Sequence, residues 1–201
     1  MAGDGPLLDA LRSSQRLGML GRQPVEVAVQ HGQAFVDALG SVVGTVVDLG
    51  SGGGLPGLVI AWRRPDLRVV LVDRRITRAD HLNRLVRGLG LDSQVVVLAV
   101  DIAELAASPL AAPVEAVVAR SFASPAATAR AAAQLLAEDG RLVVSEPPHT
   151  DPGRWPTTLL EPLGLQRVEH PDRRVMVAVR RPVRPTMFHV EQPRSRREGF
   201  T

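Results

Sequence analysis

The feature that most constrains this chain is a strand-like run followed at once by a glycine-rich turn. Gly44–Leu49 reads Gly-Thr-Val-Val-Asp-Leu, and the next eight residues are Gly-Ser-Gly-Gly-Gly-Leu-Pro-Gly. An unbroken apolar run bounded by glycine suits a strand buried on both faces, the situation of a parallel sheet between helical layers. Glycines directly after such a strand let the backbone take positive φ and let a ligand approach it closely. Open parallel sheets bind ligands beyond the carboxyl ends of their strands, which is where this turn would lie.

The pattern then repeats. Strands are predicted at Leu67–Val72, 94–100, Val114–Ala119 and 141–145, with helices at 58–63, 77–89, Ile102–Ala107 and 125–137 between them. Ala79, Leu82, Leu85, Val86 and Leu89 give the helix at 77–89 an apolar stripe, and Gly90 stops it. Upstream, Leu8, Leu11, Leu17 and Leu20 suggest a short helix broken by Gly18 and Gly21. A second helix is expected over Val25–Leu39, with Val27, Val29, Phe35, Val36 and Leu39 roughly on one side. Downstream, a Pro-rich loop from Pro147 to Trp155 leads to a helix at 157–163 and a strand pair at 165–170 and 174–179, joined by Pro171 and Asp172. Strands alternating with helices imply an α/β fold with a mostly parallel sheet, and the closing hairpin adds an antiparallel strand at its edge. The chain divides into an N-terminal helical segment (1–40), the α/β domain (41–181) and a Pro- and Arg-rich tail (182–201) read as flexible.

Composition narrows the chemistry. The chain has 201 residues with no Cys, so disulfides, thiolate metal sites and cysteine nucleophiles are excluded. All 24 basic residues are Arg, so lysine chemistry is excluded too. The net charge of +3 is a weak pointer to nucleic acid. His31, His81, His149, His170 and His189 show no metal-ligand spacing, so no metal is expected and each reads as structural. The N-terminus lacks the basic cluster and apolar run of a signal peptide, and no apolar run approaches ~18 residues. A cytoplasmic protein without a membrane span is the expectation.

Two ligands compete for the glycine turn. A dinucleotide fingerprint, G-x-G-x-x-G, fails when started at Gly50, because Leu55 stands at the third glycine. Started at Gly52 it reaches Gly57, but that begins two residues late relative to the strand end. The alternative is acidic-x-G-x-G-x-G, met by Asp48, Gly50, Gly52 and Gly54. That pattern favours S-adenosylmethionine (SAM), whose ammonium Asp48 can orient, directly or through water, and whose carboxylate backbone N–H groups can meet. Asp73, at the end of the second strand, can accept both ribose hydroxyls, a role it would share in an NAD site. Asp101 follows the third strand, where its carboxylate can accept an adenine amine with Ile102 covering the ring; a helix N-cap is the competing role for Asp101.

The stretch 47–58 (VDLGSGGGLPGL) resembles the bacterial small-subunit ribosomal RNA guanine-N7 methyltransferase family, often called RsmG or GidB. A second match is Ala119-Arg120-Ser121-Phe122-Ala123-Ser124, similar to the family's Arg-Ala-Phe-Ala segment. In the helix Val25–Leu39 only His31 matches the family's Arg-His pair. The resemblance spans about 43–144 and implies a Rossmann-like class I SAM-dependent methyltransferase fold with a seven-stranded sheet. It implies that Gly50 and Leu55 touch SAM, that Asp73 holds the ribose, that Ile102 and Ala103 lie by the adenine, and that Arg120 sits between cofactor and substrate. It further implies ribosomal RNA, within the small ribosomal subunit, as partner and substrate.

Guanine N7 carries a free lone pair, so the reaction needs positioning and electrostatics more than a general base. Arg120, Arg74 and Arg75 can meet phosphate or a guanine edge, and Phe122 is the ring available for an unstacked base, with a core position as its competing role. The departures fall on the substrate side. The N-terminal region is short, and Ser145-Glu146-Pro147-Pro148 stands where the family usually has Lys-Gly. A carboxylate there is expected to repel phosphate. It motivates the alternative of a diverged SAM-binding relative with a non-RNA substrate or a non-catalytic role.

Overall fold

The computed structural model describes residues 3–108, 113–149 and 151–182. The Arg-rich tail beyond Pro182, with His189 and 194–197, lies outside them. Seven strands and seven α-helices follow in the order α1 (Gly5–Arg16), α2 (Val25–Leu39), β1 (Gly44–Leu49), α3 (Gly57–Arg63), β2 (Leu67–Val72), α4 (Ile76–Gly88), β3 (Val95–Leu98), α5 (Ile102–Ala107), β4 (Val114–Ala119), α6 (Pro125–Leu135), β5 (Leu136–Ser145), α7 (Thr157–Leu160), β6 (Leu165–Val168) and β7 (Val175–Arg180).

The strands form one sheet in the order β3-β2-β1-β4-β5-β7-β6. The first five run parallel; β7 is antiparallel to both β5 and β6. The last strand in sequence is thus inserted between β5 and β6, and β6 forms the edge.

Period-two alternation sorts the strands' side chains onto two faces. Val46, Val69, Leu71, Ala116, Val118, Val143 and Val177 share a core with Leu7, Leu11, Phe35, Leu58 and Leu82 of α1 to α4. Val47, Leu49, Val72, Val117, Ala119, Leu142 and Ala178 share the other with Leu105, Ala129, Ala132, Leu135 and Leu160 of α5 to α7. The result is a three-layer sandwich, the reason β1 and β4 read as continuous apolar runs.

Several boundaries differ from expectation, each for a non-local reason. The helix before the glycine turn's own helix presents Val25, Ala28, Val29, Phe35 and Leu39 inward, whereas Val27 is 45% exposed. α1 buries Leu7, Leu11 and Ser14, while Leu17 lies beyond it and is exposed. β5 begins at Leu136 rather than 141, because Leu136 pairs with Val114 before the register shifts and Arg141 pairs with Ala116. Asp139 takes φ 59° in that irregular stretch. The third strand is shorter than expected and ends at Leu98.

The N-terminal helices are tied to the rest by polar contacts as well as packing. Ser14 Oγ and His81 Nε2 share a buried hydrogen bond of 2.9 Å between α1 and α4. The Arg141 guanidinium donates to the Ala38 and Leu39 carbonyls (2.7 and 3.1 Å), satisfying the open end of α2.

Candidate functional site

Sheet register fixes the site's baseline. Leu98, Val72, Leu49, Ala119 and Val144 are successive partners across β3, β2, β1, β4 and β5. One residue further on, Asp73, Gly50 and Arg120 stand just beyond the carboxyl ends of β2, β1 and β4, and Ser145 closes β5. Neighbouring strands are about 4.8 Å apart. The glycine turn, Asp73 and the Arg120–Phe122 segment are therefore neighbours because the strands carrying them are neighbours.

The turn is held from inside. Ser51 N–H donates to the Val72 carbonyl (2.9 Å), Ser51 Oγ donates to the Asp48 carbonyl (3.0 Å), and Val72 N–H donates to Ser51 Oγ (3.0 Å). The Asp73 carboxylate accepts from Gly52 N–H at 3.0 Å and from Arg75 N–H at 2.9 Å, with an Arg78 guanidinium nitrogen at 3.5 Å. Gly50, Gly52 and Gly54 have φ of 68°, 56° and 101°, a region L side chains rarely enter. At Gly50 a Cβ would also meet the Phe122 ring at 2.9 Å.

Asp48 is fully buried beneath the turn. Its Oδ2 accepts from Gly57 N–H (3.0 Å), where α3 begins, and its Oδ1 has no hydrogen-bond partner among the described residues. Burial raises its pKa to about 7; the Gly57 donor opposes that rise, and Arg120 does so more weakly.

Arg120 follows β4 and is half-buried, where desolvation lowers its pKa and the charge of Asp48 raises it. Ser121 takes φ 55°, an uncommon value for a non-glycine residue. Phe122 packs on the core and over Gly50.

The residues expected near an adenine divide. Asp101 is the N-cap of α5: its Oδ1 accepts from Ala103 N–H at 3.0 Å, and Glu104 reaches back to Asp101 N–H. Asp101 and Ala103 are exposed and Ile102 half-buried. Leu55 is buried and joined to Pro56 by a cis peptide bond.

A broad open cleft of about 2500 Å³ lies on the β4–β5–β7 side and meets the turn's neighbourhood at Arg120–Phe122. Its walls include His31 of α2, Glu146, Trp155 and Arg174. His31 stacks on Phe35 with ring centroids 5.8 Å apart, and its Nε2 has no hydrogen-bond partner among the described residues. Burial, then the charges of Arg120 and Arg174, lower its pKa, which Asp172 partly opposes. A smaller chamber of about 250 Å³ between Gln23, Leu20, Leu55 and Arg120 links the N-terminal segment to the turn.

Glu146 departs from expectation. It does not project free into the cleft as a repelling charge. Its side chain is 4% exposed, its Oε1 accepts from Trp155 Nε1–H at 2.7 Å, and Arg154 Nε lies 3.4 Å away. Sequence reasoning also missed Leu20, against which a Cβ on Gly53 would collide at 2.7 Å. No local signal marks either contact.

Residues 30–146 match the family model GidB, described as rRNA small subunit methyltransferase G. The chain belongs to this family. Among curated GidB relatives, a ribosomal RNA small subunit methyltransferase G from Nocardioides sp. is 39% identical over 92 residues, 46% of this chain and 34% of that protein. One from Mycobacterium leprae is 55% identical over 51 residues, 25% of this chain and 21% of that protein. The likeness thus spans about a third or less of these relatives' length.

Solved structures place the fold among class I SAM-dependent methyltransferases. An O-methyltransferase family protein from Burkholderia thailandensis superposes with a TM-score of 0.59 at 16% identity, covering 78% of this chain and 57% of that one. An O-methyltransferase family 2 protein from Planctomyces limnophilus gives 0.59 at 14% identity, covering 85% and 61%. Among the described residues no helix is long and apolar enough to cross a membrane, and no cluster of His, Asp and Glu could hold a metal ion.

Proposed function

We propose that the chain is a SAM-dependent methyltransferase acting on guanine N7 of 16S ribosomal RNA in the small ribosomal subunit. The observation that carries this reading is the pair of buried carboxylates flanking the glycine turn. Asp48 keeps one oxygen unpartnered under it. Asp73 uses one lone pair on each oxygen for a backbone donor, which leaves acceptor capacity for ribose hydroxyls. The residues therefore fit SAM: a carboxylate for its ammonium, glycine backbone for its amino-acid end, and a second carboxylate for its ribose. When bound, SAM supplies a methyl group on a sulfonium, already activated for transfer.

The chain's own task is then to orient and to exclude water. Asp48, Gly50, Gly52, Gly54, Leu55, Asp73, Ile102 and Ala103 form the cofactor side. Asp101 serves it indirectly, by starting α5 in the right place. Arg120 stands at the border, where its charge can meet phosphate or a guanine edge, and Phe122 offers a ring edge beside Gly50. The absence of a base–nucleophile pair among these residues suits an acceptor nitrogen that already holds its lone pair.

Calorimetric titration with S-adenosylhomocysteine tests the cofactor. Micromolar binding is expected, with no binding of NAD and a loss of at least about 100-fold in Asp73→Ala, the size of two ribose hydrogen bonds to a charged acceptor. Small subunits from a strain lacking the modification should then gain 7-methylguanine. Failure of a folded sample to bind S-adenosylhomocysteine rejects the methyltransferase reading.

A further inference from the structure

Glu146 lines the same cleft as Arg120 and Phe122, two residues beyond Val144 in the row that contains Leu49 and Ala119. Two strand spacings, roughly 10 Å, separate the β1 and β5 positions of that row. The Arg120–Phe122 segment after β4 stands between them, and the cleft of about 2500 Å³ that it lines with Glu146 has room for a purine. Trp155 and Arg154 occupy the side of Oε1, while Oε2 has no hydrogen-bond partner among the described residues. A buried acceptor left unpaired is destabilising, more so when charged. A donor arriving in the cleft would remove that cost.

Guanine offers such donors on its Watson–Crick edge, at N1–H and N2–H, on the side of the base away from N7. We propose that Glu146 is a substrate-contacting catalytic residue whose Oε2 accepts the N1–H or N2–H of the acceptor guanine. The inference rests on the methyltransferase reading above. In the step, the N7 lone pair forms a bond to the methyl carbon as the carbon–sulfur bond breaks, and that electron pair stays on sulfur. The guanine ring becomes cationic, and no proton has to move. Positive charge on the ring makes N1–H a stronger donor. The hydrogen bond to Glu146 is therefore stronger in the transition state than in the ground state, and the fixed carboxylate stabilises the developing cation directly. Trp155 holds the carboxylate in place, so the charge is ready before the reaction begins. A phosphate could not use this oxygen, because a phosphate brings no donor.

Single-turnover transfer to undermethylated small subunits tests this with E146Q and W155F. E146Q keeps the volume and an oxygen for Trp155 but loses the charge. Its rate should fall about 10- to 100-fold, with S-adenosylhomocysteine affinity within about twofold of wild type and the thermal midpoint retained. W155F keeps the charge, loosens its support, and should lose less rate. A rate for E146Q within about threefold of wild type overturns the proposal. So does equal impairment of the two variants, which would mark a structural role. Wild-type protein that binds no S-adenosylhomocysteine removes the underlying reading. Wild-type protein that binds it but methylates no small subunit leaves that cofactor reading standing and rejects Glu146 as a guanine contact.

Discussion

The glycine turn and the cleft wall meet at Arg120, yet they treat polar groups in opposite ways. In the turn, Ser51, Gly52, Asp73 and Val72 close a web of short hydrogen bonds, and glycines pack where no side chain would fit. In the wall, His31 Nε2 and Glu146 Oε2 are buried with no hydrogen-bond partner among the described residues. A site for a constant small ligand can be satisfied in advance by backbone. Side-chain groups left open can still meet a group that arrives from outside. Asp48 belongs to both patterns, with one oxygen held by the turn and one open.

The largest expected effect breaks the turn's packing. A Cβ at Gly57 would collide with Leu71 Cδ2 and lie 2.7 Å from Asp48 Oδ2. Gly57→Ala should cost about 1–3 kcal/mol or more in chemical denaturation and weaken S-adenosylhomocysteine binding with it. Unchanged stability would show that the turn yields more easily than its contacts imply.

Asp48→Asn sharpens the comparison through pH. Burial raises Asp48 to about 7, so its stabilising contribution is present at low pH and is lost as pH rises through about 7. The stability difference between variant and wild type should shift toward the variant from about pH 4 to about pH 7, then level off. A parallel pair of pH–stability curves would mean Asp48 titrates normally. Cofactor binding should move the other way. A ligand ammonium favours the ionised carboxylate, so wild-type affinity should rise over that range while the variant's stays flat.

Ser14→Ala leaves His81 Nε2 unpaired in the α1–α4 contact. A loss of about 1–2 kcal/mol is expected, with S-adenosylhomocysteine affinity unchanged. Loss of affinity instead would show that α1 bears on the glycine turn, where Leu20 touches Gly53. The smallest effect belongs to the exposed Arg12–Glu26 pair on the surface of the N-terminal helices. Arg12→Ala should leave the thermal midpoint unmoved, as solvent screens such pairs.

The parallel α/β core, the bounds of β1, β2, β4, α2 and α5, and the placing of Asp48, Gly50, Gly52, Gly54 and Asp73 are legible in the amino-acid order alone. Those follow from local causes: apolar runs that fit a two-sided strand, glycines that alone take positive φ, and acidic residues at strand ends. The rest depends on partners that folding brings together. Leu135 and Leu136 continue an Ala-rich helical pattern, and pairing with Val114 is what turns Leu136 into strand. The hairpin's order, with β7 inside β6, is a choice of partner across the sheet. Glu146 reads as a free repelling charge until Trp155, nine residues away, and Arg154 are seen to hold it. His31 reads as one of five isolated histidines until α2 brings it to the wall beside Arg120. Backbone conformation is written in a residue and its neighbours, whereas the fate of a charged side chain depends on what distant chain segments bring against it.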